Sequence, residues 1–178
     1  MSDERAAAIA GLEASRHRFS ATLDAVPESL WWTTPPGGGW SVAQTAEHIT
    51  LAERSVVKLI GRMLFAEPAP PQLLEETRGK DELIRTRFPD RTKKRIAPDF
   101  VTPRGTWPTS EAVAAAFQEF RLTNIAAYRG APADLRSFAA AHPVLGPLDG
   151  FQWAFWLTAH LDRHLDQIAE IRERLAHD

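Results

Sequence analysis

The segment DGFQWAFWLTAHLDRHLDQIAEI, residues 149–171, decides the fold of this chain. Its apolar residues recur at helical spacing and form one stripe: Trp153, Leu157, Leu161, Ile168 and Ile171. Asp149 followed by Gln152 is the acceptor-x-x-Gln pattern with which many helices begin. His160 and His164 continue the apolar stripe, so we predict a long C-terminal helix that directs two imidazoles into the protein interior.

Three further segments show helical periodicity, over residues 3–24, 41–65 and 109–128. The second of them opens with Ser41 and has Gln44 three positions later, which is the spacing of a capping box. No strand-like alternation of any length appears between them. Four long helices without strands predict an all-α fold, a four-helix bundle.

A long connection joins predicted helices two and three over residues 67–108, and it is rich in proline and charge. Connections inside compact domains are rarely this long, so we expect it to be functional or to wrap over one end of the bundle. Within it we expect a short helix over residues 72–87. The segment 141–150 reads as a compact turn with two prolines. Residues 1–178 together have the length of a single domain.

Composition excludes several classes of site and partner. A net charge of -2 gives no general attraction to nucleic acid or to an anionic membrane, so neither is expected as a partner. The basic run 85–104 is therefore interpreted as a solvated loop. There is no cysteine, so metal ligands must come from His, Asp or Glu. The N-terminus is unlike a secretory signal and no stretch approaches the roughly 18 apolar residues of a membrane span, so we expect a cytoplasmic protein.

Three histidines are the candidates for chemistry. His160 and His164 lie four residues apart, which places their Cβ atoms about 5–6 Å apart on one helix face. His48 lies on the inward half of helix two. A buried imidazole without a partner costs roughly 1–3 kcal/mol, and a shared metal ion would satisfy all three.

The spacing alone does not decide the matter, because His-x-x-x-His pairs also occur by chance in helical proteins. A zinc protease would require Glu directly after the first histidine, where this chain has Leu161. A di-iron bundle would require Glu-x-x-His on paired helices, and the sequence contains no such motif.

Three segments carry a resemblance to a known family: GGGWSVAQTAEHI (37–49), KKRIAPDFVTPRGTWPTSEAVAAAFQEFR (93–121) and HPVLGPLDGFQWAFWLTAHLDRHLDQIAEI (142–171). Together they resemble the DinB/YfiT-like family of metal-binding four-helix bundles. The resemblance implies that His48, His160 and His164 bind one divalent metal ion, usually zinc or nickel, with water completing the shell.

The resemblance also implies a choice of functions. Some members are transferases or isomerases that depend on small-molecule thiols, and others are described as metal-dependent hydrolases. We therefore expect a metal-dependent enzyme, a hydrolase or a thiol-dependent transferase, acting on a small-molecule substrate that includes a low-molecular-weight thiol in the second case. The alternative is a non-catalytic bundle, in monomeric or homodimeric form, in which the metal pins helices two and four together.

Several other residues are candidates for supporting roles. Gln44 and Gln167 are predicted either to hydrogen-bond the metal ligands or merely to cap and solvate their helices. Arg121 is predicted either to bind an anionic substrate group or to form an ordinary surface salt bridge. The tryptophans nearest the ligands in sequence, Trp40 and Trp156, are expected to line the mouth of a cavity. The remaining histidines are not favoured as ligands: His17, His142 and His177.

Overall fold

The structure, a computed structural model, describes residues 3–92, 96–131 and 134–176. In chain order its helices and strands are α1 (Asp3–Asp24), α2 (Glu28–Trp31), α3 (Val42–Leu64), α4 (Pro71–Glu75), α5 (Lys80–Glu82), α6 (Ser110–Gly130), β1 (Ala139–His142), β2 (Gly146–Asp149) and α7 (Gly150–Ala176). No helix in these ranges combines the length and apolar content that a membrane span requires.

Hydrogen-bonded caps fix where α3 and α7 begin. The Ser41 hydroxyl accepts the N–H of Gln44 at 3.2 Å, and the Gln44 side-chain oxygen accepts the N–H of Ser41 at 3.0 Å. Asp149 and Gln152 exchange the same pair of bonds, at 2.8 and 3.1 Å. Each exchange satisfies two backbone donors that a helix start leaves unpaired. Both predicted helix starts are confirmed.

The four long helices pack as a bundle, as predicted. Helix α1 packs against α6 and α7, and α3 packs against the same two helices. The first two long helices of the chain, α1 and α3, therefore lie diagonally across the bundle. The long connection runs between the second and third long helices, α3 and α6, as expected from the sequence.

The buried apolar side chains form two clusters along the bundle. Helix α3 passes from one cluster to the other between Ile49 and Leu51. Helix α7 makes the same passage between Ala159 and Leu161. His48 and His160 therefore lie where the two clusters meet, and His164 lies about one turn further along α7.

One local prediction is wrong and another is incomplete. The helix expected over residues 72–87 is broken into α4, a turn, α5 and a π-helical turn at 83–87. The segment expected to be a compact turn does turn at residues 143–145, but this turn joins the two strands of an unpredicted β-hairpin, in which β1 pairs antiparallel with β2 and His142 lies opposite Gly146. Strands of four residues are too short to show the alternation by which a sequence reveals them.

Candidate metal centre

The structure brings His48 of α3 together with His160 and His164 of α7. Their ring centroids are 5.1 Å apart for His48 and His160, and 4.6 Å apart for His164 and either of the others. One ring nitrogen from each lies within 4.8 Å of the other two, a separation that small side-chain rotations close onto one ion. The three residues are 5%, 8% and 9% exposed, so the donors converge at a nearly buried point.

Hydrogen bonds orient two of the three imidazoles. His48 donates its Nδ1–H to the carbonyl of Val101 at 2.8 Å. His164 donates its Nδ1–H to the side-chain oxygen of Gln167 at 2.8 Å. With the proton held on Nδ1, the Nε2 lone pair of each ring is left for a metal. Metal-binding histidines commonly have such a partner on the second nitrogen.

The environment keeps the histidines neutral. Burial lowers the pKa of His48 below its ordinary value of 6.5, and burial together with the neighbouring histidines lowers the pKa of His160 well below it. Burial and the charge of a protonated His48 lower the pKa of His164 to about 3. Neutral imidazoles are the form that binds metal, and three nitrogen donors suit a zinc- or nickel-class ion better than calcium or magnesium. The donor set therefore fits a divalent transition metal.

The histidines line a cavity of about 820 Å³ whose wall is mostly apolar. Trp40 lies beside His48 with 4.9 Å between ring centroids. Trp156 stacks on His160, also at 4.9 Å, with an angle of 30° between the rings. Both tryptophans line this cavity, as the sequence predicts. A cavity of this size accepts a small molecule beside the metal position.

The two glutamines differ in what they contact. Gln167 hydrogen-bonds His164 and also accepts from Arg91 at 3.3 Å, so it orients one of the candidate ligands. Gln44 caps α3 through its bond to the N–H of Ser41 and is not part of the cavity wall. Gln167 thus contacts a predicted ligand, whereas Gln44 caps its helix.

Arg121 forms a salt bridge, the second of its predicted roles, but the bridge is buried and not on the surface. The residue is fully buried, and its guanidinium binds the carboxylate of Glu53 at 2.8 and 2.9 Å. It also donates to the carbonyl of Leu12 at 3.1 Å and to the hydroxyl of Ser15. These contacts join α1, α3 and α6 away from the cavity. The partner carboxylate lies 68 residues earlier in the chain, which no local pattern reveals.

Sequence reasoning missed two groups at the site. The carbonyl of Val101 is a backbone group, so no side-chain motif points to it. His142, interpreted as a turn residue, is buried in the cavity wall with its ring 4.7 Å from that of Trp156. Its Nδ1 accepts the N–H groups of Val144 and Leu145 at 3.1 and 3.0 Å.

The remaining candidate residues either lie on the surface or fall outside the described residues. His17 is exposed on α1, as expected. His177 and the centre of the basic run, residues 93–95, lie outside the described residues.

A carboxylate next to His48 anchors the segment that carries Val101. Glu47 is 2% exposed and accepts the backbone N–H groups of Arg104 at 3.1 Å, Gly105 at 2.9 Å and Thr106 at 2.8 Å. Burial raises the pKa of Glu47, but these donors outweigh burial and the net pKa is lowered. The ionised carboxylate therefore ties this part of the connection to α3.

Comparison with known proteins agrees with the fold and the motif analysis. YfiT from Bacillus subtilis, described as a probable metal-dependent hydrolase with an unusual four-helix bundle topology, is 17% identical with a TM-score of 0.65, and the match covers 99% of this chain and 90% of that one. At this identity the similarity concerns the fold. No curated protein sequence matches the chain. The family model described as the DinB superfamily matches residues 11–168, and the chain therefore belongs to the DinB superfamily.

Proposed function

We propose that this protein is a metal-dependent enzyme that acts on a small molecule, as a hydrolase or as a thiol-dependent transferase. One observation carries the proposal: the three converging histidines line a cavity of about 820 Å³ instead of being sealed in the core. A structural metal site is normally closed by four protein ligands, whereas a catalytic site keeps a position for substrate. Here the described residues supply three donors and a cavity beside them.

The ligand set favours Lewis-acid chemistry. A divalent ion held by three neutral imidazoles keeps its full charge and lowers the pKa of a coordinated water or thiol. Val101 and Gln167 hold the ring protons of His48 and His164 on Nδ1, so both rings present a lone pair to the same point. The stacked Trp156 supports His160 and excludes water from one side of the site.

The charges in the cavity wall favour one of the two reactions, and the comparison with YfiT supports the other. Glu170 is the carboxylate in the described cavity wall, and Arg91 holds it through two bonds of 2.6 Å. A carboxylate engaged in this way is a poor proton acceptor, so the nucleophile would have to ionise on the metal itself. A thiol ionises there more readily than water because its free pKa is lower, which favours the transferase. The description of YfiT as a probable metal-dependent hydrolase supports the other reaction.

Metal content is the first test. Protein purified without a metal-loading tag should contain one zinc- or nickel-class ion per chain by elemental analysis, and His160→Ala should lose it. His17→Ala, an exposed histidine on α1, is the matched control and should keep it. A metal-free native protein, or a His160→Ala variant with full metal content, contradicts the proposal.

Activity is the second test. The metal-loaded protein should be screened against ester, amide and electrophilic substrates, with and without low-molecular-weight thiols. Turnover that requires both metal and thiol identifies a transferase, and turnover that requires metal alone identifies a hydrolase. Stoichiometric metal with no exchangeable coordination position, tested by thiol binding to the cobalt-substituted protein, would favour the non-catalytic alternative.

A further inference from the structure

The cavity is cationic although the whole chain carries a net charge of -2. Three guanidinium groups belong to its described wall, those of Arg91, Arg163 and Arg174, against the single carboxylate of Glu170. A bound divalent ion would add two more positive charges. Clefts with an excess of one sign of charge concentrate ligands of the opposite sign, so the cavity favours an anion.

Two of the three guanidinium groups already have protein partners. Arg91 binds Glu170 and Gln167. Arg163 is 6% exposed and donates to the backbone carbonyls of Phe88 at 3.3 Å and Pro89 at 3.4 Å. Both are held in place as parts of the wall and are poorly placed to reach for a ligand.

Arg174 differs from the other two, because it is exposed and makes no ion pair with any described residue. It lies at the far end of α7 against the loop of three glycines. A Cβ added to Gly37 would lie 3.5 Å from the Arg174 Nη2 atom. Gly38 and Gly39 line the cavity, and a Cβ at either would meet nothing within 4 Å. Neither of these two positions is therefore obstructed, and Arg174 lines the same cavity.

The backbone of the glycine loop supports the same interpretation. Gly37, Gly38 and Gly39 have φ values of 75°, 82° and 107°, which side-chain-bearing residues rarely adopt. The Gly38 N–H bonds the carbonyl of Pro35 at 3.0 Å. The wall beside Arg174 is thus bare backbone that a ligand group can approach closely.

Between Arg174 and the histidines the wall is mixed. Trp40, which directly follows the glycine loop and lies beside His48, lines it together with Ile171 of α7. Gln167 and Glu170, which Arg91 holds, line it as well. At the mouth, Ile96 is 99% exposed and Phe100 is 59% exposed, and both line the same cavity. Exposed apolar side chains around a cavity are typical of a ligand-binding site.

We infer that Arg174 and the glycine loop form a subsite for the anionic group of an elongated substrate, whose apolar body lies against Trp40 and Ile171 and whose reacting group reaches the histidines. This inference rests on the proposed function. His164 and Arg174 are ten residues apart, which corresponds to about 15 Å along the helix, and both side chains lean towards the N-terminus, so the span stays close to about 15 Å. The substrate class is a long apolar carboxylate or phosphate ester with a metal-binding group at its other end.

A series of mercaptocarboxylates tests the inference as a molecular ruler. Cobalt-substituted protein is titrated with 6-mercaptohexanoate, 8-mercaptooctanoate and 11-mercaptoundecanoate, and sulfur ligation is followed by the sulfur-to-cobalt charge-transfer band. Each acid is compared with the thiol alcohol of the same length, so that the apolar contribution cancels. The acid should bind roughly five- to tenfold more tightly than the alcohol at the two longer lengths and about equally at the shortest.

Two charge-neutralising variants complete the test. Arg174→Gln should remove the preference for the acid, whereas Arg172→Gln should keep it, because Arg172 lies on the same helix but not in the cavity wall. Equal affinities for acid and alcohol at every length, or an unchanged preference in Arg174→Gln, overturn the inference while leaving the proposed function intact. Absence of bound cobalt, or of the band with any thiol, defeats the proposed function itself and the inference with it.

Discussion

Replacing Glu47 by Gln should weaken metal binding although Glu47 is not a ligand. Its carboxylate holds three backbone N–H groups at residues 104–106. A few residues earlier, the carbonyl of Val101 accepts the Nδ1–H of His48. The carboxylate thus acts through the backbone segment 101–106, which orients the candidate ligand His48. We therefore treat Glu47 as a positioning residue.

The expected magnitude follows from counting donors. Gln has one acceptor oxygen, which can keep two of the three N–H groups, and its NH₂ group would face the third. One buried donor is left unpaired and the other two bonds lose their charge assistance, so the free energy of unfolding should fall by about 2–4 kcal/mol. Loss of a hydrogen-bonding partner behind a metal ligand typically costs tenfold to hundredfold in affinity, and we expect a value in that range.

The assay is chelator competition for zinc, at a temperature where each variant is fully folded by circular dichroism. Glu53→Gln is the matched control, because Glu53 lies on the same helix, is also 2% exposed and also binds several donors. It leaves the guanidinium of Arg121 uncompensated and should cost about 3–5 kcal/mol of stability, yet metal affinity should stay within about twofold of the native value. Equal losses of affinity in the two variants, or none in Glu47→Gln, would refute the positioning role.

Three further results are expected. Gln167→Leu should lower zinc affinity about tenfold by the same competition assay, because His164 loses its Nδ1 partner; unchanged affinity would contradict this. The free energy of unfolding of the metal-free protein, measured with urea, should decrease as the pH falls from 6.5 towards the folded pKa of about 3 at His164. The unfolded chain binds protons in this range and the buried rings do not, so the loss is at most about 1.4 kcal/mol per pH unit for each histidine. A flat profile in this window would contradict the burial of the histidines. Gly150→Ala should destabilise the protein by about 1–3 kcal/mol in thermal melts, because the added Cβ would lie 2.7 Å from the carbonyl oxygen of Leu135. The control Gly61→Ala on α3 should not destabilise it, because a Cβ there meets nothing within 4 Å.

Local chemistry explains what the sequence predicts well. The Ser41–Gln44 and Asp149–Gln152 pairs mark helix starts because each pair is a complete set of donors and acceptors within four residues. The spacing of His160 and His164 likewise needs only helix geometry. These features depend on neighbours along the chain, so the four helices and the histidine pair can be read directly from it.

Features that depend on distant partners could not be read in the same way. Arginine is usually a surface residue, and Arg121 is buried because its charge is paired with that of Glu53. His142 is interpreted as a turn residue because β1, which it ends, and the partner strand β2 are too short to show alternation of polar and apolar residues. Val101 contributes a carbonyl, which every residue has. In each case the role of the residue depends on a group from another part of the fold, which the local sequence does not indicate.

The position of the site in the bundle ties its chemistry to its stability. Polar side chains are costly inside an apolar core unless they are satisfied, and His48 and His160 lie where the two apolar clusters meet instead of within either one. Placing the donors at this junction leaves each cluster continuous. The candidate ligands also lie on α3 and α7, two helices that pack directly on each other. An ion bound there would therefore join these two helices at the level where the two clusters meet. Because a ligand that binds only the folded chain stabilises it, removal of the metal should lower the stability of the whole bundle and not only that of the cavity wall.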